Sequence, residues 1–256
     1  MNWLLLAVAA FGAGVLNAVA GGGSFLTFPA LVFTGVPPIA ANATSALAVS
    51  PGYLGSVWGF RQELRAMDPR QLRREAVLAS VGGVLGAVLL LVTPAQVFSG
   101  LVPWLLLFAT ALFAAGPWLA RRRPASDLAL DPNAGEGRTR GRTPGLLAVS
   151  IYGGYFNGGL GILLMALYTL TGEARMNQAN ALKNLNSFVL SILSVVAFAL
   201  AGAIVWREAA LMMVCATAGG FAGARLAKRL PAHWVRGLVM ATGVVMSAAF
   251  FARQAG

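Results

Sequence analysis

GAGVLNAVAGGGSFLTFPALVFTGVPPIAANATSALAV, residues 12–49, is the stretch whose reading decides the fold. An apolar run is interrupted by Gly21-Gly22-Gly23-Ser24 and resumes over 25–35. After a proline-containing turn it meets Asn42, Thr44 and Ser45 set among alanines. The 25–35 leg rises about 16 Å as a helix, roughly half the 30 Å hydrocarbon core of a bilayer. It is too short to cross alone but long enough to return from the midplane. A second stretch downstream, 144–171, is broken in the same way by Asn157-Gly158-Gly159-Leu160-Gly161, and its later leg 162–171 is equally short. Ala41-Asn42-Ala43 places its Asn 19 residues after Gly23, and Ala179-Asn180-Ala181 does the same after Gly161.

Composition fixes the solvent. The 256 residues are 58% hydrophobic and only 11% charged, with a mean hydropathy of +0.74. A soluble domain carries about a quarter charged residues, so most of this surface faces lipid. The net charge of +11 does not mark a nucleic-acid binder. The basic residues fall in runs between apolar segments, such as Arg70 to Arg74 and Arg121 to Arg123, as expected beside anionic headgroups. Cys215 is the only cysteine and excludes an internal disulfide framework.

Six further stretches are long and apolar enough to cross: 43–60, 73–93, 98–119, 178–205, 207–227 and 233–252. The chain therefore reads as a first membrane repeat over 1–119, a polar cytoplasmic linker over 120–143 and a second repeat over 144–256. Gly82, Gly83, Gly86, Pro94 and Gly100 recur at identical spacing as Gly219, Gly220, Gly223, Pro231 and Gly237. If each glycine-broken stretch returns to its own side, basic residues in 61–75, 121–142, 175 and 225–236 share one side. Only Arg207 and Arg253 are left on the other. Corresponding loops carry opposite charge bias, as inverted repeats require. The expected fold is an all-α polytopic membrane protein of two inverted repeats. Each is a re-entrant hairpin plus three transmembrane helices, with the N-terminus outside. The alternative is eight plain crossings with kinked first helices.

Unwound backbone inside a bilayer must be satisfied by protein or by a water-filled cavity. A helical leg that starts there offers N–H groups and a partial positive charge to an anion. The candidate binding set is therefore Asn17, Gly21, Gly22, Gly23, Ser24, Asn157, Gly158, Gly159 and Gly161 at the tips. Asn42, Thr44, Ser45, Asn180, Lys183 and Asn184 follow each hairpin. Steps of three and four put Asn180, Lys183, Asn184, Ser187, Ser191 and Ser194 on one helical face. Lys183 would neutralise an anion, or else reach out to the headgroups. Gly82, Gly86, Gly219 and Gly223 are read as close-packing positions. The acidic residues, Glu75 and Glu208 among them, are read as lying in loops or at segment ends. That disfavours cation transport and carboxylate-driven proton exchange. His233 is the only histidine, and no hydrolase, metal or Walker motif is present, so neither enzyme activity nor a cofactor is expected.

Residues 12–49 resemble the first signature of the sulfite exporter TauE/SafE family. ANALKNLNSFVLSILSVVAFALAGAIVW, residues 179–206, and GGFAGARLAKRLPAHWVRGLVMATG, residues 219–243, resemble its second-half signatures. The resemblance implies a bacterial inner-membrane permease for sulfur-containing anions such as sulfite or an organosulfonate. NGGLG at the second tip is less glycine-dense than the family's usual run. The expected partners are a small anionic substrate and the lipid bilayer, with no nucleic acid. A passive anion channel, or a non-transporting component that hands a sulfur anion to a soluble enzyme, are the alternatives.

Overall fold

The computed structural model describes residues 2–19, 22–121, 134–171, 176–226 and 232–255. The described residues form eleven helices and no strand. In the first half these are α1 Trp3–Val19, α2 Ser24–Phe33, α3 Pro38–Gly59, α4 Arg61–Arg65, α5 Pro69–Val92 and α6 Ala95–Arg121. The second half contains α7 Ala134–Tyr155, α8 Leu160–Leu170, α9 Met176–Leu200, α10 Trp206–Leu226 and α11 Ala232–Ala255. Each of the six stretches expected to cross is helical over most of its described residues. Among the described residues Pro69–Val92, Ala95–Leu112 and Asn177–Leu200 meet the length and hydropathy needed to span. Of the expected 120–143 linker, 122–133 lies outside the described residues, and α7 starts at Ala134, ahead of its apolar part.

The glycine-broken stretches double back instead of continuing. In an unbroken helix residue 26 would stand about 20 Å beyond residue 12. Here Leu26 Cδ1 lies 3.2 Å from the point where Gly12 would carry a Cβ. In the second half Leu167 Cδ1 comes within 2.6 Å of the same point on Gly145. Both α1–α2 and α7–α8 fold back as antiparallel hairpins.

The halves interlock. α1 packs mainly on α10, and its counterpart α7 mainly on α5; α3 lies against α9 and α6 against α11. Small residues make the two swapped contacts possible. A Cβ on Gly14 would run into the backbone of Ala216 and Gly220, and one on Gly154 into the backbone of Gly83. Lipid offers no hydrophobic drive between helices, so this close backbone approach holds the interfaces together by van der Waals contact. At one end of the bundle Phe28, on α2, packs edge-on to Phe156 at 5.5 Å and stacks on Phe250 of α11 at 6.1 Å. Phe98 of α6 adds a further ring to this plug.

One sequence reading needs correction. Glu75 is not at a loop end: it lies within α5 and is only 4% exposed. The helix starts early because Asp68 caps it, its side chain accepting from the Arg70 N–H at 2.9 Å, and Pro69 occupies the first turn. Glu208, in the first turn of α10, is also buried.

Candidate functional site

The two hairpin tips meet directly. Ser24 Oγ donates to the Asn157 carbonyl at 2.9 Å. Asn42, on α3, clamps the second tip: its Nδ2 donates to the Tyr155 carbonyl at 3.2 Å, and its Oδ1 accepts from the Asn157 N–H at 3.4 Å. Asn17 Oδ1 accepts from the Gly23 N–H at 3.0 Å, closing the first tip on its own helix. At the second, the Gly158 carbonyl accepts from Tyr152 at 2.9 Å. Gly159 adopts φ +77 just before α8, a left-handed conformation glycine reaches without Cβ strain.

The leading N–H groups are less open than the sequence suggests. Phe25 and Leu26 donate to the carbonyls of Gly22 and Gly23, and Leu160 and Ile162 donate to those of Asn157 and Gly159. The glycines curl into tight turns that consume donors a straighter break would leave bare. Asn157 is the exception in its side chain. It is 3% exposed, and neither amide atom has a hydrogen-bond partner among the described residues. Two such orphans in apolar surroundings cost free energy unless a ligand or water pairs them.

The polar space lies beside the joined tips. A cavity of about 380 Å³ runs from the second tip at Gly161 along the second half of α3 to α10. Its polar lining comes from Asn17, Tyr53, Ser56, Lys183, Asn184 and Thr217, and among the described residues Lys183 is the only charged one on its wall. Asn17 spans both regions, since its Nδ2 lies 3.7 Å from where Gly52 would carry a Cβ. The volume is at the lower end of small-molecule sites, so it suits a compact solute.

Of the expected set, the structure brings Asn17, Gly161, Lys183 and Asn184 to this cavity. Gly22, Gly23, Ser24, Asn157, Gly158 and Gly159 build the tips, and Gly21 lies outside the described residues. Asn180 is half-buried on the first turns of α9 and does not line the cavity. Asn42, Thr44 and Ser45 are consumed by structure: Ser45 pairs with Thr27 at 2.6 Å, and Thr44 Oγ1 accepts from the Val205 N–H at 3.0 Å. Thr44→Val leaves that N–H unpaired at the start of α10, a cost of about 1–3 kcal/mol. Thermal unfolding in detergent should fall accordingly while ligand affinity is unchanged. Tyr53, Ser56 and Thr217 were missed. Extending the three- and four-residue steps from Ser45 through Val49 and Gly52 would have reached the first two.

Comparison with known proteins agrees with this architecture. The model of the family described as sulfite exporter TauE/SafE matches residues 6–250. A probable membrane transporter protein of Haemophilus influenzae is 28% identical over 93% of this chain and 90% of its own length. Probable membrane transporter protein ORF9 of a Sinorhizobium species is 27% identical, over 94% of this chain and 89% of its own. Probable membrane transporter protein YfcA of Escherichia coli is 28% identical, covering 92% and 84%. No solved structure matches. With hairpins, apolar helices and a match running nearly end to end, the chain is a multi-pass membrane transporter and belongs to the sulfite exporter TauE/SafE family.

Proposed function

We propose that this protein is a secondary transporter that exports a small sulfur-containing anion, such as sulfite or an organosulfonate, by alternating access between inverted halves. The observation that carries the reading is a cavity beside the hairpin tips whose only charge, among the described residues, is the cation of Lys183. Among the described residues no carboxylate forms an ion pair with it. An unpaired ammonium at that depth is expensive, and an anionic solute relieves the cost.

Chain direction supports the inversion. Thr44 of α3 lies by the start of α10, while Gly52 to Phe60 of α3 and Thr217 to Phe221 of α10 share the cavity. The two helices therefore run the same way. α10 reverses α9 through the short Ala201–Val205 turn, so α9 and its counterpart α3 run in opposite directions. Both hairpins are then re-entrant from opposite faces. The basic loops orient the N-terminus outside the bacterial inner membrane. In that orientation the cavity, at the Phe60 end of α3, opens to the cytoplasm. The aromatic plug lies at the other end, which is the arrangement expected of an inward-facing exporter awaiting its load.

Thermal unfolding of the purified protein in sulfite, sulfate, thiosulfate, sulfonates and carboxylates tests the substrate class. A specific ligand at a hundredfold excess over its dissociation constant stabilises the fold by about 2.7 kcal/mol. Sulfite or a sulfonate should raise the midpoint and acetate should not. Saturable flux of the same anion into proteoliposomes is then expected. Unsaturable flux would mean a channel, and absence of flux a component that only hands the anion on.

A further inference from the structure

The buried Glu75 has no part in that cavity, yet it is the most heavily engaged side chain described. Its Oε1 forms an ion pair with Arg142 Nη2 of α7 at 2.7 Å and accepts from Gln71 Nε2 at 3.3 Å. Its Oε2 accepts from the Tyr168 hydroxyl of α8 and from Asn186 Nδ2 of α9, both at 2.9 Å. The Arg142 guanidinium also stacks over the Tyr168 ring at 4.9 Å. One carboxylate thus ties both legs of the second hairpin to α5 and α9. Among the described residues the first hairpin has no such tie: Met212, 137 residues on, occupies the position equivalent to Glu75 and is wholly buried.

The pair is not sealed from water. A cavity of about 330 Å³ reaches both Glu75 and Arg142, with Arg74 and Thr143 on its wall. Among the described residues the charged and titratable groups around Glu75 are Arg142 from α7, Tyr168 from α8, and Arg70 and Arg74 from its own helix with the Asp68 cap. α9 contributes the neutral Asn186, with Lys183 a turn away on the cavity side.

Within the locked arrangement Arg142 and three hydrogen-bond donors compensate the charge of the carboxylate. Should the α7–α8 hairpin part from α5, the same carboxylate would lose the Arg142 cation and the Tyr168 donor and keep only the neutral donors Gln71 and Asn186. Loss of a neighbouring cation favours the protonated form of a carboxyl. Proton and Arg142 therefore compete for one site. We propose that Glu75 is a proton-binding site, reached from the 61–75 side, whose protonation releases Arg142 and unlocks the α7–α8 hairpin. In a transporter this makes the proton the coupling ion. That last link rests on the function proposed above, whereas the site itself does not.

The test is hydrogen-exchange mass spectrometry of the full chain in lipid nanodiscs without any anion substrate, corrected for intrinsic rates, from about pH 8 to about pH 4, a span that reaches ordinary glutamate titration. Wild type should lose about tenfold protection across 145–168 on acidification, about 1.4 kcal/mol of opening free energy. Glu75→Gln should be loosened and flat across this range, and Glu75→Asp should keep a pH response. Arg142→Gln should be loosened already at neutral pH, and the double variant with Glu75→Gln should recover protection. A wild-type pH response surviving in Glu75→Gln would overturn the proposal. So would a double variant no tighter than Arg142→Gln alone. If Glu75→Gln does not fold, the aspartate and Arg142 variants carry the same decision. Because no anion is present, failure here leaves the Lys183 cavity standing, and failure of anion binding there leaves this site standing.

Discussion

Lys183→Gln is expected to weaken sulfite binding about 10- to 100-fold. A hydrogen bond to a charged group contributes about 1.5–3 kcal/mol, and each 1.4 kcal/mol is about a factor of ten in affinity. Among the described residues Lys183 is the only charge on the cavity wall, so none of them replaces what is lost. Asn184→Ala removes one neutral donor beside it and should cost about tenfold or less. Lys183→Arg keeps the charge but spreads it over a planar fork, and partial retention is expected. The readout is the ligand-dependent shift in thermal unfolding, titrated to half-saturation and followed by proteoliposome flux. A side chain that only reached the headgroups would leave the half-saturation point of Lys183→Gln at the wild-type value.

How much of this was legible beforehand depends on which physical signal each feature leaves in the sequence. The hairpins were, because glycine clusters and short apolar legs are local. The structure turns back where Gly21 to Ser24 and Asn157 to Gly161 say it must, as far as the described residues reach. Lys183 and Asn184 were legible too, since a polar face on an apolar helix has few explanations. Asn42, Thr44 and Ser45 look the same in sequence but serve the tips and α10 through partners 161 or fewer residues away. Spacing along one helix cannot tell a ligand site from a clamp on another helix. Glu75 was misread for a different reason. The apolar run starts near residue 73, but the helix starts at Pro69 because of the Asp68 cap. The capping signal places Glu75 inside the bundle; hydropathy alone leaves it at the edge. The lone amide of Asn157 has no sequence signature at all, because its isolation depends on everything packed around it.

The second large effect concerns the swapped helix contacts. Gly14→Ala and Gly154→Ala should each lower the unfolding midpoint by about 5–10 °C, from overpacking costs of about 1–3 kcal/mol or somewhat more. In both cases the added methyl meets backbone, Ala216 and Gly220 for one and Gly83 for the other. Backbone in a helix cannot rotate away as a side chain tip can, so the helices must separate and lose contact along their length. Gly55→Ala and Gly100→Ala are the controls. Nothing lies within 4 Å of a Cβ at either position, and alanine is the better helix former, so their midpoints should hold or rise slightly. Thermal unfolding of the four variants in one detergent makes the comparison. Matched losses at Gly14 and Gly154 are what equivalent contacts demand, since α1 meets α10 as α7 meets α5. A loss at only one of them would mean that the two halves, however similar in sequence, do not carry the same mechanical load.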